Sequence, residues 1–306
     1  MINQLLIFAK KVISNYKRIP SFLVGRMTIY LHNKKYTSNT KTTPSKIGID
    51  NVSNFLDRVG VRKGDVLFVH SSWENLNSGL FGAPDLIKSL LNTVGDEGTL
   101  AMPAIPDIAQ VPGATFNVRR TPSAAGMLTE VFRRYPNVKR SINLNHSVCA
   151  FGPQAEFLIK DHHLSETSWD KNSPYFRLSE FENSWIVGLG VGHRLQVATS
   201  LHCVESALCK DSKFFKKLFA NQICYEYKDS AGEAGQHCYR QRTGQIYTQK
   251  IAKHFTKDEL IEETIDGLEV YAIKAKTLIE KSIDLGREGK TMYVWPIPWP
   301  WFFKNK

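Results

Sequence analysis

The sequence predicts an α/β layered fold, and three observations carry that expectation. Short apolar runs at 65–70, 99–103 and 184–190 read as buried strands. Between and after them lie segments whose apolar residues recur at helical spacing. The chain is also long and apolar enough for a full core, with 306 residues of which 42% are hydrophobic. Strands alternating with helices build a layered domain of sheet and helix. That hydrophobic fraction excludes a disordered chain, and 13 Pro with 20 Gly exclude a collagen-like one.

Each element follows from its own residues. Residues 51–60 form a short amphipathic helix on Val52, Phe55, Leu56 and Val59, ended by Gly60. The first strand, 65–70, runs into Ser71 and Ser72. A helix over 84–94 places Leu86, Ile87, Leu90 and Leu91 on one face, and 99–103 is the second strand. Residues 123–135 read as a helix capped by Ser123, with Met127, Leu128, Val131 and Phe132 inward. The third strand ends in Gly188 and Gly190, and a helix follows from Thr199. Residues 211–250 read as short strands and turns, and 257–285 as one or two helices.

The ends differ from this body. Residues 2–31 combine Leu5, Leu6, Phe8, Val12 and Ile13 with Lys10, Lys11, Lys17 and Arg18, an amphipathic cationic helix broken at Pro20. A polar linker over 36–45 leads to a body that starts near Ile47. The expected division is an N-terminal extension and linker over 1–46, a domain over 47–290, and an aromatic and basic tail over 291–306. Both the 1–35 segment and the 295–306 segment suit peripheral contact with a membrane surface. A cap packed on the body would show the same residues.

Net charge is +11, but residues 1–49 hold nine of the cations and no acid, leaving 31 basic against 29 acidic side chains elsewhere. A balanced body is not a nucleic-acid surface. No apolar run reaches the roughly 18 residues of a membrane-spanning helix. A secretory signal is not expected, since the apolar stretch precedes its lysines and no small-residue cleavage site closes it. Five cysteines, an odd number without a C-x-x-C pair, argue against a disulfide or zinc framework and favour a reducing, cytoplasmic setting.

Three clusters could carry chemistry. The first is Val69-His70-Ser71-Ser72, followed by Gly82-Ala83-Pro84 at a helix start, where backbone N–H groups can hold a phosphate. An ordinary N-cap would show the same pattern. The second is Thr199-Ser-Leu-His202-Cys-Val-Glu205: spacing i, i+3 on a helix lets the carboxylate orient the imidazole. A general base, a hydrogen-bonded core histidine and half of a metal site with His193 all fit that spacing. The third is Arg140, Ser141, His146 and Ser147, suited to an anion or to a solvated loop.

Taken in order, these stretches resemble the aminoglycoside 3-N-acetyltransferase (antibiotic N-acetyltransferase) family. The matching segments include Val69-His-Ser-Ser, Gly82-Ala-Pro, Val94-Gly-Asp-Glu-Gly-Thr-Leu-Ala-Met-Pro, Arg140-Ser with His146-Ser, Asn172-Ser-Pro, Val187-Gly-Leu-Gly and Thr199-Ser-Leu-His-Cys-Val-Glu. The resemblance implies a single three-layer α/β/α domain with a mixed central sheet that binds acetyl-CoA and transfers acetyl to an amine. No metal is implied. By match, His202 would be the base and Glu205 its support. His70, Ser71, Ser72, Gly82 and Ala83, with Arg140 and Ser141, would hold the cofactor. Ser147 or a backbone N–H would serve the oxyanion. Cys203 points about 100° away from His202 on a helix, which disfavours an acyl-enzyme.

Two departures bear on the acceptor. The family's acidic residue after the glycine-rich strand end is missing from 193–198, where Arg194 stands instead, and Asn143-Leu144 replace a common His-Pro. A polycationic acceptor needs carboxylates. The expected acceptor is therefore an amino sugar of surface polysaccharide synthesis, nucleotide- or lipid-linked. A true aminoglycoside enzyme conferring antibiotic resistance, or a CoA-binding pseudoenzyme, are the alternatives.

Overall fold

A computed structural model describes residues 46–77, 79–108 and 113–303. The basic helix and linker expected over 1–46 fall almost wholly outside them. The core is a seven-stranded sheet. At its centre β1 (Val66–Ser71) pairs in parallel with β2 (Thr99–Pro103) and β6 (Ser184–Leu189). Beyond β2 run the antiparallel β5 (Val148–Phe151) and β4 (Lys139–Arg140). Beyond β6 lie β11 (Leu268–Lys274) and β10 (Leu260–Ile265), again antiparallel. The sheet is mixed, as expected.

Alternation along each strand feeds two apolar layers. Leu67 and Val69 of β1 face α1 (Ile49–Val59), α2 (Ala83–Val94) and α3 (Met127–Arg133), among Phe55, Leu86 and Phe132. Val66 and Phe68 face the opposite layer with Ile186, Tyr271 and Leu278, closed by α4 (Cys203–Leu208) and α5 (Ala275–Arg287). With helices on both faces, every residue of β2 is buried, which is why the central strands read as continuous apolar runs. A smaller sheet joins β3 (Phe116–Asn117), β7 (Phe219–Lys228) and β8 (Ala234–Arg242) over a satellite core of Phe116, Leu144, Tyr225 and Tyr239.

Several expectations are corrected. The segment at 257–274 is the β10–β11 hairpin, and only α5 is helical. Its turn residues Asp266 (φ 48°) and Gly267 (φ 85°) are both left-handed, the conformation of a tight two-residue hairpin. The helix expected over 123–135 is only α3. Ser123 accepts a hydrogen bond from the Ala125 N–H ahead of it, and Met127 is exposed rather than inward. A disulfide links Cys224 to Cys238. These residues stand opposite each other on β7 and β8, a pairing that cysteine spacing does not reveal without the hairpin register.

Residues 291–303 are not a free tail. β12 (Tyr293–Trp295) pairs with β9 (Gln245–Ile246), Tyr293 is buried, and Phe303 packs on Phe214 at 5.2 Å. The aromatic surface left exposed there is Trp299 stacked on Trp301. Among the described residues no helix is long and apolar enough to cross a membrane.

Candidate active site

The carboxyl ends of β1 and β6 open into a cleft of about 1170 Å³. Such crevices beyond the strand ends are the usual ligand sites of parallel sheets. His70, Ser71 and Ser72 form one wall, with Gly190 and Gly192 beside them. Residues 124–127 and Thr199 complete the rim, together with Glu74 and Glu269. Gly188, just inside the strand, has to be glycine. A Cβ there would stand 2.1 Å from the Tyr271 ring, whose hydroxyl donates to the Gln196 carbonyl and ties down the loop over 193–198.

His202 ends a 3-10 turn, Thr199–His202, that runs directly into α4. One turn later Glu205 is fully buried, and the two side chains meet at 3.0 Å between Nδ1 and Oε1. With the Nδ1 proton directed at the carboxylate, Nε2 keeps its lone pair. Trp169 fixes the ring from the side, with centroids 4.8 Å apart, and His146 packs against the same indole at 4.7 Å. Burial lowers the His202 pKa, opposed by the charge of Glu205. The imidazole is therefore neutral at pH 7 and can accept a proton. Cys203 is buried and its thiol is pushed well above the usual range by desolvation, so it is no nucleophile. Among the described residues no group of His, Cys, Asp or Glu could hold a metal ion.

Not every expected site residue reaches the cleft. Arg140 is buried in the wall. It donates to the Thr121 carbonyl (2.5 Å), the Ala104 carbonyl (2.7 Å) and Ser147 Oγ (2.9 Å). Ser147 in turn donates to Ala104 at 2.5 Å, so its hydroxyl has no proton left for an oxyanion. Ser141 accepts from the Val148 N–H and bonds His162 Nδ1. Here all three are hydrogen-bonded within the wall. Gly82 and Ala83, which open α2, are not among the residues lining the cleft, and the Gly82 N–H goes to Asp85 Oδ2 at 2.9 Å.

Other groups were missed. Tyr293 donates to Glu205 Oε1 at 2.5 Å, and Arg242 donates to the Tyr293 hydroxyl at 3.1 Å. Neither residue carries a local motif. Glu269 was hidden in the segment read as helix. Arg194, expected to put a cation at the acceptor side, instead sends its guanidinium to Gln249 Oε1 at 2.9 Å.

A sequence model of the family described as Aminoglycoside 3-N-acetyltransferase matches residues 68–285, more than half of the chain. The chain belongs to this family. It is 36% identical over 147 residues to Aminoglycoside N(3)-acetyltransferase IV of Salmonella sp., covering 48% of this chain and 54% of the relative. It therefore spans about half the length of that relative. It is 28% identical over 193 residues to the SPbeta prophage-derived aminoglycoside N(3')-acetyltransferase-like protein YokD of Bacillus subtilis, covering 56% and 68%. Among solved structures, a mutant aminoglycoside acetyltransferase AAC(3)-IVa in complex with gentamicin is similar with a TM-score of 0.64 and 25% identity, over 78% of this chain and 88% of that one. The family fold and the mixed three-layer domain agree.

Two buried imidazoles set an acid limit for the fold. Desolvation lowers His70 and His162 from 6.5 to about 3. The unfolded chain takes up those protons first, so stability is full above pH 6.5 and falls as pH drops toward 3. Each ring contributes about 1.4 kcal/mol per pH unit in that window. Urea unfolding midpoints should fall steadily from pH 7 to pH 4; a flat series would exclude both rings as the cause.

Proposed function

We propose that this protein is an acetyl-CoA-dependent N-acetyltransferase whose acceptor is an aminoglycoside, with the amine attacking the thioester directly. The observation that carries the reading is the His202–Glu205 pair, adjoining through Thr199 a cleft that bears two carboxylates. An amine is a nucleophile only when neutral. His202 Nε2 takes its proton as nitrogen bonds the thioester carbon, and Glu205 stabilises the imidazolium that forms. The CoA thiolate leaves and collects a proton. With Ser147 committed elsewhere, backbone N–H groups at the ends of β1 and β6 are the candidates for the oxyanion.

CoA has a place to lie. His70 Nε2 is buried on the cleft wall without a partner, and Ser71, Ser72 and the left-handed Gly190 allow close approach of a chain and its phosphates. A neighbour of 19% identity and TM-score 0.63 was solved as a binary complex with CoASH. The Arg194 guanidinium is engaged by Gln249, which is compatible with a cationic acceptor. Glu269 of β11 lies 3.8 Å from His193 and supplies a carboxylate next to the loop that lacks one. The gentamicin complex of the similar enzyme supports the same acceptor class.

The test is thiol release from acetyl-CoA with a panel of aminoglycosides and nucleotide-linked amino sugars. Turnover confined to the nucleotide-linked sugars would defeat the aminoglycoside reading, and none with any amine would defeat acetyl transfer. On the leading acceptor, Glu269→Gln should raise KM about tenfold with kcat little changed, the loss of one ammonium contact of about 1.4 kcal/mol. An unaltered KM would take Glu269 out of the acceptor site.

A further inference from the structure

The carboxylate behind His202 is held on one side only. Glu205 Oε1 receives both His202 Nδ1 and the Tyr293 hydroxyl, whereas Oε2 is buried without a protein donor. The Tyr293 hydroxyl itself accepts from Arg242, whose guanidinium also lies 5.9 Å from the Tyr293 ring centre. Thus a cation, a phenol, a carboxylate and an imidazole follow one another in a line, contributed by β8, β12, α4 and the 3-10 turn before it. Such chains polarise: a donor shared with a cation binds a carboxylate more strongly and withdraws charge from its other partner.

We propose that Tyr293 is a positioning residue for acetyl transfer: backed by Arg242, it anchors Glu205 Oε1 and draws charge away from His202, so that the imidazole stays neutral and correctly turned until the acceptor amine gives up its proton. This rests on the reading of His202 as the base. The alternative, a Tyr293 that merely fills the core against Phe214 at 5.6 Å, uses its ring and not its hydroxyl.

The charged and titratable surroundings are few. His202 ends the 3-10 turn, and Glu205 and the buried Cys203 stand on α4, with Asp170 acting on that thiol. Arg242 and Tyr293 face the pair from β8 and β12, and His146 faces His202 across Trp169. Lys290, beyond α5, borders the small cavity that also touches Glu205 and Tyr293. Burial and the Arg242 charge both lower His202, and Glu205 opposes them. Removing the phenol hydroxyl or the guanidinium leaves the carboxylate more basic, so the pair takes its proton at higher pH.

The experiment is a histidine-selective NMR titration of the full chain, with His202→Ala identifying the resonance. In Tyr293→Phe the His202 titration should move up by about half a unit to one unit, and the acidic limb of kcat/KM with acetyl-CoA and gentamicin should move with it. Arg242→Gln, which leaves the tyrosine ring in place, should shift it the same way if the phenylalanine variant folds poorly. A His202 titration in both variants that superimposes on the wild type would overturn the proposal. Near-normal turnover in His202→Ala would instead overturn the base itself, so the two failures are distinct.

Discussion

His202→Ala is expected to lower acetyl transfer by about 10²–10⁴-fold in kcat, the range that a positioned proton acceptor contributes. Binding of CoA should be unaffected if it uses the proposed wall of β1 and the glycine-rich end of β6, which does not include His202. The loss should grow less severe as pH rises, since more of the acceptor amine is already neutral. Steady-state thiol release between pH 6 and 9, with CoA affinity measured by calorimetry, separates these effects. Retention of near-normal turnover at pH 7 would mean that another group, His146 across Trp169 being the nearest candidate, takes the proton.

The second large effect concerns folding. Arg140→Met removes four hydrogen bonds from inside the wall and leaves the Thr121 carbonyl without its donor. The expected cost is about 2–4 kcal/mol, or on the order of 10 °C in Tm for a domain of this size. The Arg140 pKa is lowered to about 10 by burial, so the guanidinium is charged throughout the neutral range. KM for acetyl-CoA in the folded fraction should stay near the wild-type value. If KM rises while Tm holds, Arg140 is a cofactor contact after all and the buried geometry described above does not govern its role.

The residues differ in how much they disclose. β1, β2 and β6 were legible because both faces of a parallel strand are covered, which forces an uninterrupted apolar run. The His202–Glu205 pair was legible because a helical turn converts three positions of sequence into one contact. Arg140 and Ser147 were not. Their residue types suit a cleft and a core equally, and the choice was made by carbonyls at 104 and 121, on segments that only the fold brings near. The β10–β11 hairpin was misread because Glu262 and Glu263 are good helix formers, although the Asp266-Gly267 turn was visible. Glu269, on β11, went unnoticed with it.

Tyr293 stands 88 residues beyond Glu205, and this separation has a consequence for synthesis. During translation α4 leaves the ribosome long before β12 does. Until residue 293 arrives, a buried carboxylate would lack its phenol, and β9 would lack the strand it pairs with. The α1, α2, β1 and β2 layer can assemble early, since its contacts are between neighbours in the chain. The partner set around Glu205 is completed only when β12 is in place. A nascent chain that ends before β12 would therefore still lack the phenol that holds Glu205 Oε1 beside His202.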